Sequence, residues 1–167
     1  SISDIQDADE NGRAASELQS TYLTFQKSFL EQRQGLLYFL LTGDRAGLSQ
    51  FEKLNETINA LHEKLSELSS TDAEFSALVN EFTHFYQEWK DKYANVQIGL
   101  MRNYLTVNQA RAIEVSGEPE AVIAKMGEIV HQLGVELEEI LSESLAQKAS
   151  AISQFTVSIV ISLVAMI

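Results

Sequence analysis

The sequence predicts an all-α protein, an antiparallel up-down four-helix bundle. One proline and eight glycines in 167 residues leave few positions that break a helix. Apolar residues recur at intervals of three and four rather than two, which indicates helices and not strands. Short breaks separate four helices, of which only the second is short, over residues 3–42, 45–69, 72–116 and 119–167. Such short connections make successive helices antiparallel.

The first helix has one aromatic face and then a wholly apolar stretch. Phe25 and Phe29 lie one turn apart on that face. The six residues Leu36–Leu41 follow without a polar gap, so we expect this stretch to be buried on more than one side. Gly43 is expected to end the helix, and Asp44 to cap the next one.

The second helix has the most regular apolar pattern, with spacings of 3, 4, 3, 4 and 3 over Phe51, Leu54, Ile58, Leu61, Leu65 and Leu68. Ser69–Asp72 is a polar break, and Thr71 or Asp72 is a good N-cap for the third helix. The apolar face of that helix runs from Phe75 to Trp89, and we expect the helix to continue to about Ser116.

The fourth helix is predicted to begin at Gly117–Glu120, with Pro119 in its first turn. Its apolar face continues into residues 155–167, FTVSIVISLVAMI, which have no charge. This stretch stops in mid-run and is shorter than the ~20 residues that span a bilayer. We therefore expect residues 1–154 to form the domain and residues 155–167 to begin a transmembrane helix. The alternative is a helix buried in a soluble core.

The first and fourth helices are longer than the second, so we expect them to extend past it as a stalk next to the membrane. Both ends of the chain would then lie at the membrane side of the bundle. A signal would pass along the stalk by a small sliding or rotation of the fourth helix against the first.

The charge balance argues against a nucleic-acid partner. Lys and Arg number 12 and Asp and Glu 24, for a net charge of −12, and such a surface repels phosphate backbones. The chain has no cysteine, so a disulfide, a thiolate nucleophile and a zinc–thiolate site are all excluded.

No catalytic motif is present, so we expect a non-enzymatic protein without a cofactor. The remaining metal-site hypothesis depends on two Glu-x-x-His motifs, Glu81–His84 and Glu128–His131. A di-iron bundle uses such motifs together with inward-facing glutamates from its other helices. The first two helices show no such glutamates, so no metal ligands are assigned.

The candidate ligand-binding residues are cations and aromatic residues near the apolar faces. An arginine beside aromatic residues can hold a carboxylate through two parallel hydrogen bonds. Five residues are therefore predicted to form a ligand site, namely Arg33, Tyr38, Trp89, Tyr93 and Arg102. The alternative is that these cations lie along the surface and the aromatic residues belong to the core.

One motif resembles a known family. Leu40-Leu41-Thr42-Gly43-Asp44 ends the long first helix and is followed by Leu48 and Phe51, which resembles the Leu-Leu-Thr-Gly-Asp signature of the CHASE3 sensor domains. The family's usual Arg-Gly-aromatic before this signature is Leu37, Tyr38 and Phe39 here, so only the aromatic residue is kept. The similarity in organisation covers about residues 20–150.

The resemblance implies a helical bundle between two transmembrane helices, as in bacterial histidine kinases, chemoreceptors and cyclic-di-GMP enzymes. It further implies a parallel homodimer in the inner membrane. The domain would be periplasmic and would sense a small molecule or a protein. Other four-helix sensor domains share this architecture. The alternative functions are a soluble helical-bundle interaction protein with no membrane role and a metal-binding bundle.

Overall fold

The computed structural model describes residues 1–165, and within that range every regular element is helical, with no strand. The predicted all-α class is therefore confirmed. The elements in chain order are α1 (Ile2–Thr42), α2 (Arg45–Leu68), α3 (Ala73–Trp89), a π-helical segment (Lys90–Ala94), α4 (Asn95–Met101), α5 (Val107–Val115) and α6 (Glu118–Val164).

The three predicted breaks lie where the sequence places them. Gly43 adopts φ 72°, and its N–H donates to the Phe39 carbonyl at 2.8 Å. The Asp44 carboxylate accepts from the Ala46 N–H at 2.9 Å, which caps α2. Gly117 also has a left-handed φ, 80°, directly before α6. Glycine is favoured at both positions because a side chain is strained in this conformation.

The predicted third helix differs from the structure, because residues 72–116 do not form one helix. A π-helical turn follows Trp89, and residues 102–106 separate α4 from α5. In this gap the Asn103 side chain accepts from the Leu105 N–H at 3.0 Å, and the Thr106 hydroxyl donates to the Leu100 carbonyl at 2.6 Å. These local side-chain bonds replace backbone bonds that a continuing helix would make.

Helix α1 packs against both α2 and α6, while α3 packs against α6. The α1–α2 pair is a close antiparallel hairpin. A Cβ on Gly47 would lie 2.5 Å from the Gly35 carbonyl oxygen, so both glycines are needed for this approach. At the end of the hairpin, Arg111 of α5 donates to the carbonyls of Leu40 and Leu41.

Aromatic side chains from α1, α2 and α3 form a connected cluster within the core. Phe25 and Phe82 meet edge to face, with ring centroids 4.9 Å apart. Trp89 is fully buried among Phe29, Phe51 and Tyr86. Aromatic pairs of this kind add about 0.5–1.5 kcal/mol beyond the burial of their surface.

Helices α1 and α6 extend together beyond α2 and α3, and we call residues 2–14 and 143–164 of these two helices the stalk. Asn11 bonds to Gln147 at 3.4 Å, and Lys148 lies 3.6 Å from the Asp9 carboxylate. Gly12 lies against Ser144 in the same region. The stalk brings the start of α1 and the end of α6 to the same end of the bundle.

The apolar segment at the end of the stalk is helical to Val164, and its large side chains face outward. Val157, Ile161 and Val164 are 53%, 62% and 68% exposed. Across the described helices, none has an apolar stretch of the length needed to cross a membrane. Met166 and Ile167, which belong to the predicted transmembrane start, lie outside the described residues.

Candidate functional site

Arg33 is buried, and its charge is neutralised within the protein. Its guanidinium makes two hydrogen bonds to the Glu114 carboxylate of α5, one of them 3.2 Å long. Glu120, in the first turn of α6, lies 3.5 Å away, and Gln97 of α4 donates to Glu114 at 3.0 Å. Arg33 therefore joins α1, α4, α5 and α6 in one polar network.

The protonation of Glu114 follows from these contacts. Burial tends to raise the pKa of this carboxyl. Hydrogen bonds from Arg33 and Gln97, together with the positive charge of Arg33, outweigh burial, so the pKa lies below its usual value. Glu114 is therefore ionised at neutral pH. The Oε1 atom of Gln97 is buried without a partner, so this network leaves one polar atom unsatisfied.

The three aromatic residues of the predicted ligand site, Trp89, Tyr38 and Tyr93, lie in separate environments. Trp89 belongs to the core, and its indole N–H has no partner. Tyr38 is 48% exposed at the end of α1, where its hydroxyl donates to Asp44 at 3.1 Å. Tyr93 is half-buried against the core in the π-helical segment. A shared ligand-binding role for the five predicted residues stays a prediction.

A second polar chain connects the core to the surface beside the π-helical segment. The Tyr86 hydroxyl lies 2.8 Å from Gln32 Oε1 and 3.1 Å from Asn55 Oδ1, and its one proton can serve only one of them at a time. Burial raises the pKa of Tyr86 far above its usual value, although the bond to Gln32 acts the other way. Lys90 donates to Asn55 at 3.1 Å and lies 4.5 Å from the Tyr86 ring centroid.

Lys90 opens onto a cavity of about 450 Å³, which we call the α2–α4 cavity. Phe51, Ile98 and Gly99 supply its apolar wall. Its polar lining combines two carboxylates, two amides and two cations, from Glu52, Asn55, Glu56, Lys90, Asn95 and Arg102. The π-helical turn lies between Lys90 and Asn95, and such turns are frequent at functional sites.

A second cavity of about 600 Å³ adjoins the first, since Glu52 and Arg102 line both. Arg45 and Ser49 of α2 contribute to its polar lining. Of the five predicted ligand residues, Arg102 alone lines these two cavities. The other polar lining residues were not predicted as ligand residues, although Glu52 and Asn55 flank the apolar seam of α2 at Phe51 and Leu54.

The histidines of the two Glu-x-x-His motifs, His84 and His131, are exposed. His62 is half-buried, its Nε2 atom has no partner, and burial lowers its pKa despite the nearby charge of Glu63. Over residues 1–165, no three acidic or histidine side chains lie close enough to form a metal site.

The family model of the CHASE3 domain matches residues 8–147, which is most of the chain. The chain belongs to the CHASE3 family. This CHASE3 domain is thus a member of a family of sensor domains of bacterial receptors. Among curated proteins and among solved structures, nothing matches the chain.

Within the CHASE3 domain, the Leu40–Asp44 motif forms the end of α1 and the turn into α2. The motif is therefore structural at its glycine and aspartate. Gly43 supplies the left-handed turn, and Asp44 supplies the cap. The larger of the two cavities lies beside this turn, and Gly43 and Arg45 line it.

Proposed function

We propose that this CHASE3 domain is the extracytoplasmic, non-enzymatic signal-sensing part of a bacterial transmembrane receptor. A small molecule or a protein partner would bind to the domain, and α6 would relay the event to a cytoplasmic output in chemotaxis or histidine kinase signalling. Membership of a family of sensor domains supports this role. The observation that carries the proposal is the continuity of α6, which has no break over 47 residues.

A physical route connects the cavities to α6. Ile98 and Gly99 of α4 line the α2–α4 cavity, and the adjacent residue Gln97 bonds to Glu114. Glu114 pairs with Arg33, which also lies close to Glu120 at the start of α6. A displacement of α4 would therefore change a charged contact between α1 and α6. The signal would follow as a small sliding or rotation of α6 against α1 in the stalk.

We further propose that the domain lies outside the inner membrane and joins it through α6. Supporting this placement, the helix from Phe155 to Val164 presents its apolar side chains outward. A water-facing helix seldom does so over a contiguous surface. The net charge of −12 suits a domain held away from anionic lipid headgroups.

We also propose a parallel homodimer that forms through α1. Leu23 and Leu30 are 54% exposed and Leu37 is 37% exposed, and the three recur at intervals of seven residues. A seven-residue apolar repeat on one helix face fits a second copy of the same helix. Leu30→Glu should shift the sedimenting species from dimer to monomer, whereas the exposed control Glu10→Gln should not. A wild-type chain that sediments as a monomer would exclude this interface.

The relay can be tested by fixing α1 to α6 in the stalk. The chain has no cysteine, and Gly12 lies close enough to Ser144 for Gly12→Cys and Ser144→Cys to form a disulfide after a small adjustment. We expect a receptor carrying the oxidised pair to hold one output level under every stimulus. A reducing agent should restore its response, and each single variant should respond normally. An oxidised receptor that responds as fully as the reduced one would refute the relay.

A further inference from the structure

We propose that the α2–α4 cavity binds a free amino acid in its zwitterionic form. Arg102 and Lys90 would bind its carboxylate, and Glu52 and Glu56 would bind its ammonium group. This inference rests on the proposed sensor function and adds the chemical class of the ligand. Its support comes from the charges that line the cavity, the state of Lys90, and the size of the space.

The four charged side chains of the cavity have no charged partner. None of Glu52, Glu56, Lys90 and Arg102 forms an ion pair in residues 1–165. Two positive and two negative groups thus face one space without neutralising each other. A ligand with one charge would satisfy one pair and be repelled by the other. A zwitterion satisfies both, and its net charge of zero matches that of the lining.

Lys90 is the most constrained of these groups. Its ammonium is half-buried, and burial lowers its pKa despite the nearby charge of Asp91. Its neighbours are the neutral Asn55 carbonyl oxygen and the face of the Tyr86 ring. A partly desolvated cation whose direct contacts are neutral gains more from an anionic ligand than a solvated one does.

The remaining lining suits a small organic molecule. The cavity volume of about 450 Å³ lies within the range of about 300–1,000 Å³ that is usual for ligand pockets. Phe51 and Ile98 offer apolar contact for a side chain, and Asn55 and Asn95 offer amide groups. No atom lies within 4 Å of the position that a Cβ of Gly99 would occupy, so this wall is open.

The test is calorimetric titration of the chain with each of the twenty standard amino acids, one at a time. The amino acid that binds is then compared with its N-acetyl derivative and with its carboxamide. Each derivative lacks one charge, and we expect each to bind at least ~10-fold more weakly, because a charged hydrogen bond contributes about 1.5–3 kcal/mol. Absence of binding by all twenty would overturn the inference, as would equal binding of either derivative.

Substitutions then locate the site. Arg102→Gln and Glu52→Gln should each weaken binding at least ~10-fold. The matched controls Lys53→Gln and Glu63→Gln lie on α2 outside the cavity and should leave affinity unchanged. All four positions are exposed, so folding should be retained, and circular dichroism checks this. Unchanged affinity in both cavity variants would place the ligand elsewhere and overturn the inference.

The test of the ligand class and the test of the relay can fail independently of each other. A chain that binds no amino acid, in a receptor whose response is blocked by the stalk disulfide, would refute the ligand class alone. A chain that binds an amino acid in the α2–α4 cavity, in a receptor that ignores the stalk disulfide, would support the site and refute the relay.

Discussion

At the scale of single residues, Glu136 of α6 is a buried carboxyl in an acidic surrounding. It is 9% exposed and faces Asp72 and Glu74 at the start of α3 and Glu139 on its own helix. Burial, followed by these negative charges, raises its pKa from 4.5 to about 7. The folded chain therefore keeps a proton on Glu136 over a range in which the unfolded chain has lost it.

This shift has a defined sign in the stability of the protein. Because the folded-state pKa is the higher one, the contribution of Glu136 to the free energy of unfolding is greatest below about pH 4.5 and is lost as the pH rises through 7. We expect Glu136→Gln to unfold at a higher urea concentration than the wild type at pH 8 and at a similar concentration at pH 5. Glu138→Gln, an exposed change nearby, should show no such difference.

Comparing Glu136→Gln with the wild type at the same pH cancels the contribution of His62. The lowered pKa of His62 changes the free energy of unfolding with pH in the opposite direction. Equal urea midpoints for Glu136→Gln and the wild type at pH 8 would show that the carboxyl is already ionised without cost in the folded chain.

Residue-scale features of the site could be predicted only in part. Arg33 attracts notice in the sequence because a cation just before six apolar residues needs a partner. Its partner, Glu114, is 81 residues away and reaches it only because α5 separates from α4. No pattern in the sequence indicates that approach. Apart from Arg102, the charged lining of the α2–α4 cavity was missed for the same reason, since it depends on how α2 faces α4.

At the scale of secondary-structure elements, the contact between α1 and α2 depends on two glycines. A Cβ on Gly47 would lie 2.5 Å from the Gly35 oxygen and 2.9 Å from the Phe39 nitrogen. These are backbone atoms, so the helices would have to separate. We expect Gly47→Ala to lower the free energy of unfolding by about 2–3 kcal/mol, as measured by urea denaturation.

The matched control is Gly127→Ala in the interior of α6, where a Cβ meets nothing within 4 Å. Here the better helix propensity of alanine should raise the free energy of unfolding by about 0.5–1 kcal/mol. If both variants changed stability in the same direction, the close approach of α1 and α2 would not be the cause.

The element boundaries show what sequence patterns can resolve. The breaks at Gly43, Asp72 and Gly117 were predicted because each has a capping or turn-forming residue. The break at residues 102–106 has neither glycine nor proline, so the pattern predicted a continuous helix there. Asn103 and Thr106 can bond locally or point to solvent, and packing against the rest of the bundle decides between these.

At the scale of the whole molecule, helix lengths alone predicted the stalk. Helix α1 has 41 residues and α6 has 47, so both must extend beyond α2, which has 24. The contacts within the stalk depend on the register between α1 and α6. Asn11 and Gln147, for example, are 136 residues apart in the chain. Register of that kind is fixed by packing throughout the bundle and has no local sequence signal.

In the proposed function, this CHASE3 domain lies outside the cytoplasm and is attached to a membrane. The absence of native cysteine allows a direct measurement. A single cysteine is introduced in the protein in its own host, either Ser70→Cys in the α2–α3 turn or Tyr104→Cys in the gap before α5. Both positions are exposed.

Intact cells are then treated with a maleimide that does not cross the inner membrane, with an exposed thiol on a cytoplasmic protein as the control. We predict that both positions are labelled in intact cells as fully as in lysed cells, that the labelled protein sediments with membranes, and that the control is labelled only after lysis. Labelling of Ser70→Cys and Tyr104→Cys only after lysis would contradict the sensor account and favour a helical-bundle interaction protein inside the cell.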